Sequence, residues 1–107
     1  MKARVVVLTG AFVCGGLVGA FAAERTVGQK GKAFSETEVA MSINDTLVIK
    51  NDDDVTHNVM SLTPGNEFNL GLQPPGVSIP ITFDASGEIK ILCAIHPRMQ
   101  LIVKVAK

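Results

Sequence analysis

The residues with chemistry to offer are concentrated in Cys93-Ala94-Ile95-His96-Pro97-Arg98-Met99, with His57 upstream. They are a soft thiolate, two imidazoles and a thioether. Two imidazoles and a thiolate in a trigonal plane, with a thioether as a weak axial ligand, are the donors that hold copper for electron transfer. The three-residue steps from Cys93 to His96 and from His96 to Met99 suit a tight loop between two strands, one able to turn all three side chains toward one point. His57 stands 36 positions before Cys93 and falls on a different expected strand. A metal held by all four would tie two strands together near one end of a sheet.

Singly, each of these residues has an ordinary explanation: cysteine and methionine usually fill cores, and a lone histidine usually sits at a surface. Jointly, both histidines of the chain, a methionine and the only cysteine after residue 22 fall into one ligand order. Pro97 adds to the case, since it removes a ladder donor where two apolar runs meet and so marks a loop rather than a strand. Zinc would accept the cysteine and two histidines, but a thioether is a poor fourth ligand and the loop carries no Asp or Glu. A Cys93/His96 nucleophile pair lacks a Gly-rich turn or helix start to build an oxyanion hole, and no orienting acid lies nearby in sequence. Copper is therefore the favoured metal, and no catalytic role is expected.

These residues must be positioned by a small body. The chain has 107 residues with ten basic and ten acidic side chains, enough for one domain and without the cationic surplus that nucleic-acid binding needs. Residues 1–22 read as an export signal: Lys2 and Arg4 begin it, the apolar run from Val5 to Val18 follows, and Ala20-Phe21-Ala22 offers a small-x-small cleavage site. An uncleaved membrane anchor is the rival reading, since Val5 to Ala23 runs 19 positions without a charge. Gly10, Gly15, Gly16 and Gly19 weaken such a helix, and Val13 before Cys14 argues against a lipidated cysteine. Cleavage after Ala22 leaves residues 23–107 with eight Lys/Arg against ten Asp/Glu, a formal net charge of −2. It also leaves Cys93 without a disulfide partner in its own chain, in an oxidising compartment where metal binding gives a lone thiol a purpose.

In residues 23–107 the apolar positions recur at twos and no helical period appears. Val39, Met41 and Ile43 alternate with polar or small residues, Asn44-Asp45 marks a turn, and Thr46 to Lys50 resumes. His57 to Leu62, Ser78 to Phe83, Glu88 to Cys93 and Leu101 to Val105 read as further strands, and Arg25 to Gln29 as a first one. Asn51-Asp52-Asp53-Asp54 reads as a solvated polar turn, and Thr63-Pro64-Gly65-Asn66 and Pro74-Pro75-Gly76 as breaks. Short strands with close turns point to an all-β protein, an antiparallel sandwich or barrel.

Three segments carry a family resemblance: Asn51 through Asn58, Ile89-Lys90-Ile91-Leu92-Cys93, and the loop Cys-x-x-His-Pro-x-Met. Together they resemble the cupredoxins, the small type 1 blue copper proteins, and within them the plastocyanin and amicyanin branch. Phe68-Asn69-Leu70-Gly71-Leu72 is similar to plastocyanin-like proteins labelled for methylamine utilisation. The resemblance implies a Greek-key β-sandwich over residues 23–107, one copper ion, and His57, Cys93, His96 and Met99 as its ligands. It further implies an exported or periplasmic monomer that passes single electrons between redox proteins of dehydrogenase or cytochrome c type, touching a membrane only through an uncleaved leader. The competing functional reading is a copper carrier or sensor that delivers or reports the ion. Two positions depart from the family: Ile91 stands where many relatives have an aromatic, and Ala94 where many have a hydroxyl able to bond the Asn after the first His. Asn58 is accordingly expected to bond a backbone group of the ligand loop instead.

Overall fold

The computed structural model describes residues 22–107 and the backbone of residues 3–5. Of the leader expected over residues 1–22, the rest up to residue 21 lies outside the described residues. Strands run in the order β1 (Ala3–Val5), β2 (Glu24–Lys30), β3 (Ala33–Phe34), β4 (Glu38–Ser42), β5 (Thr46–Asn51), β6 (His57–Ser61), β7 (Phe68–Gln73), β8 (Ser78–Phe83), β9 (Gly87–Leu92) and β10 (Gln100–Ala106). They form two five-stranded sheets, ordered β1-β8-β5-β2-β3 and β4-β10-β9-β6-β7. Non-consecutive neighbours such as β5 with β8 and β6 with β9 give the Greek-key connections of a sandwich.

Alternation in the sequence becomes alternation in space. Val39 and Met41 of β4, Leu47 and Ile49 of β5, Ile89 and Ile91 of β9 and Leu101, Val103 and Val105 of β10 all turn into one buried cluster. Successive side chains on a strand point to opposite faces, so residues spaced by two share the core. The seven strands expected from the sequence are present, with no end displaced by more than one residue.

The sheets are mixed rather than purely antiparallel. β2 runs parallel to β5, and β4 runs parallel to β10. A tight hairpin cannot join parallel neighbours. Here the chain leaves β2, crosses to the other sheet as β4 and returns as β5. Strand β7, which periodicity did not show, pairs with β6 at a sheet edge; its register slips between Asn58 and Met60, and Gly71 within it has φ of +80°. That irregularity blurs the period of two.

Asp45 joins the turn before β5 to the start of the domain. Its Oδ2 accepts the Ser42 backbone N–H and its Oδ1 that of Ala23, each at 2.8 Å. The Ser42 bond, and then the Ala23 bond, holds its carboxyl below the ordinary value of 3.8. A carboxyl depressed in the folded state stabilises it above the unfolded pKa and loses that contribution as pH falls. Asp45→Asn should therefore lower the melting temperature of the metal-free protein at neutral pH. Its deficit against wild type should shrink once acid carries both below 3.8, and thermal melts across the acid range check this.

Candidate metal centre

Loop and strand place the four sequence-selected residues at one end of the sandwich. His57 opens β6, Cys93 directly follows β9, and residues 93–99 form the turn from β9 into β10. Because β6 pairs with β9, with Met60 opposite Leu92, the two halves of the site are neighbours across one ladder. The Met99 N–H donates to the His96 carbonyl at 2.9 Å, which closes the loop on itself.

The Nδ1 atoms of His57 and His96 stand 3.1 Å apart, and the Cys93 Sγ lies 3.9 Å from the His96 Nδ1. The ligand atoms of the three residues all fall within 4.8 Å of one another. Metal bonds of about 2.0–2.3 Å to nitrogen and sulfur are compatible with such spacing. His57 and Cys93 are buried, whereas His96, on the loop, is part-exposed. Met99 is buried in the same loop. A thiolate with two imidazoles at this spacing fits a soft, thiolate-binding metal such as copper.

Backbone and side-chain bonds hold the donors in place. Asn58 does what its position implied: its Oδ1 accepts the Ala94 N–H at 3.0 Å. Its Nδ2 donates to Asn69 Oδ1 at 2.8 Å and to the Gly71 carbonyl at 2.9 Å, so one buried amide fastens the ligand loop to β7. The Asn58 backbone N–H points at the Cys93 sulfur, 3.3 Å away. Pro97 has no N–H to offer that sulfur.

The acidic run before His57 is not a purely solvated turn, which corrects the sequence reading. Asn51 is buried and donates to the Val55 and Gln73 carbonyls, while its Oδ1 accepts the Asp53 N–H at 2.9 Å. That bond turns the Asp53 side chain inward, where its Oδ2 lies 3.0 Å from His57 Nε2 and accepts the Lys32 N–H at 3.0 Å. The Lys32 N–H foremost, and then His57, holds the Asp53 carboxyl well below the usual carboxylate range. With Nε2–H donated to Asp53, His57 presents the Nδ1 lone pair toward His96 and Cys93. The sequence did carry a signal for Asp53, a carboxylate four residues before a candidate ligand.

Beside His96 a groove of about 490 Å³ runs between the loop and the β2–β3 turn, lined by Gly31, Lys32, Ile95, His96, Pro97 and Arg98. Ile95 and Pro97 thus border the part-exposed histidine.

No protein-family model matches the chain, and no curated protein does. Solved structures do. A purple cupredoxin from Nitrosopumilus maritimus is 23% identical over 77% of this chain and 99% of its own, with a TM-score of 0.68. A copper-containing nitrite reductase from Thermus scotoductus is 23% identical with a TM-score of 0.75, over 89% of this chain and only 25% of its own. The chain has the cupredoxin fold. Amicyanin from Paracoccus versutus, of the branch that the ligand loop resembles, is 26% identical over 82% of this chain and 84% of its own, with a TM-score of 0.67.

Proposed function

We propose that this protein is an exported carrier of single electrons, with one copper ion held by His57, Cys93, His96 and, more weakly, Met99. The observation that supports it most is the convergence of two histidine Nδ1 atoms and one cysteine sulfur on a stiff sandwich, with a single part-exposed histidine beside a groove. Copper, when bound, supplies a one-electron couple, and the chain's part is to keep the donors still as the charge changes. Asn58 and Asp53 do so by fixing the loop and the His57 ring. Electron transfer is fast where the surroundings barely rearrange, and a mixed thiolate–imidazole set suits both oxidation states. The part-exposed edge of His96 is then the exit, and a redox protein of dehydrogenase or cytochrome c type docks over it.

The copper-loaded protein should show intense thiolate-to-copper absorption that bleaches on reduction; a colourless complex that resists oxidation would favour copper delivery instead. Met99→Gln should still bind copper but move the reduction potential, since a weakly held thioether would tune potential more than occupancy. Complete loss of binding would assign Met99 a larger part.

Export to the periplasm, with release of a monomer by cleavage after Ala22, completes the reading. Cleavage there would turn the Ala23 nitrogen, 2.8 Å from the Asp45 carboxylate, into an ammonium seated on an anion. The intact mass of the exported protein should correspond to a chain beginning at Ala23.

A further inference from the structure

We infer that Asp53 is a positioning residue that joins the β2–β3 turn to the copper site and biases the bound ion toward its oxidised state. The inference rests on the copper reading above and adds to it a residue outside the ligand set.

Three groups converge on this one carboxylate. Oδ2 accepts from His57 Nε2 and from the Lys32 backbone N–H, both at 3.0 Å, and Oδ1 accepts the Asp54 N–H, also at 3.0 Å. The side chain is only 9% exposed and that of His57 is fully buried, so water competes poorly for this pairing. Asn51 directs Asp53 inward through the bond to its backbone N–H, and is itself buried and held by two carbonyls. The carboxylate is thus fixed from three sides rather than free to swing.

Lys32 is an unusual partner. It and Gly31 are the two residues between Lys30 and Ala33, which pair as the ends of a hairpin, and both have positive φ, +62° at Gly31 and +57° at Lys32. Positive φ at both central positions suits a tight hairpin, but the left-handed region disfavours a residue with a Cβ. In this conformation the Lys32 N–H reaches the oxygen that holds His57. The same turn forms one wall of the groove whose other wall is the His96 loop. Asp53 therefore fixes the buried ligand and the rim of the groove by a single atom.

The chemistry follows from charge. A carboxylate accepting the outer N–H of a metal-bound imidazole fixes its ring and makes it a stronger donor. The stronger donor, with a negative charge close behind it, favours the more positive ion and lowers the reduction potential. Among the other acids of the run, Asp52 pairs with Lys50 at the surface. Asp53 is the acid of the run whose carboxylate bonds His57.

Asp53→Asn tests the inference, with Asp52→Asn as a control of equal charge change. The variant should still bind copper but lose about tenfold in its preference for Cu(II) over Cu(I), an upward shift of about 59 mV for one electron. Asp52→Asn should move the potential far less. In the metal-free variant the Lys32 amide should exchange with solvent about tenfold faster than in wild type, a readout independent of copper. Equal potential shifts in the two variants, or an unchanged Lys32 exchange rate, would overturn the inference. Should Asp53→Asn not fold, the wild-type metal-free protein still decides: its His57 Nε2 proton should be visible by NMR and slow to exchange, and a rapidly exchanging one overturns the positioning role. Failure of wild type to take up copper would instead strike at the copper reading.

Discussion

Cys93→Ser should abolish the intense visible band of the copper-loaded protein while leaving a folded sandwich. The sulfur is the only soft anionic donor near His57 and His96 among the described residues, and strong visible absorption requires charge transfer from a thiolate to copper. A serine hydroxyl is harder and stays protonated at neutral pH, so what copper binds should bind more weakly and without colour. The fold should tolerate the change because Cys93 follows β9 and is not one of the core residues joining the two sheets. Far-ultraviolet circular dichroism and the copper spectrum, measured on one sample, separate the two statements. A retained intense band would overturn the ligand assignment.

Asn58→Ala should be the costliest single change outside the ligands. The substitution removes an acceptor from the Ala94 N–H and a donor from both Asn69 and the Gly71 carbonyl, at a residue 4% exposed. A buried polar group left without a partner costs about 1–3 kcal/mol. With several bonds lost at once, a fall of about 3 kcal/mol in unfolding free energy is expected, measured by denaturant titration of the metal-free protein. Loosening should concentrate in the ligand loop and β7, so the amides of Ala94 and Gly71 should lose protection well beyond those of β5. A loss below about 0.5 kcal/mol would show that the loop is held by other means.

The sandwich was legible because its strands bury one face each. Val39 and Met41, Ile89 and Ile91, and Leu101, Val103 and Val105 announce inward faces at a spacing of two, and the structure buries them all. Strand β7 was not legible, since Gly71 and the slip opposite Asn58 break the spacing. Nor were the parallel pairings, which depend on where chain crossings land rather than on the period of any strand. At the site, the cluster of His57, Cys93 and His96 followed from residue type and spacing. What lay hidden was the inner role of the polar run. Composition says that Asn51 and Asp53 prefer water, yet the turn offers backbone donors and carbonyls enough to satisfy both away from it. Polarity alone cannot tell a solvated turn from a satisfied one.

The ladders that assemble this centre join distant parts of the chain: β6 lies beside β9, and β10 lies between β9 and β4. An unfolded chain therefore holds His57 far from the three donors of the loop, and chain closure over long loops must come first. Sandwiches dominated by such pairings fold on timescales of about milliseconds to seconds, slower than helical domains of similar size. Copper offered during refolding should thus become coloured no faster than the sheets form. The same ion offered to folded protein meets prearranged donors and is limited by encounter and by the opening at His96.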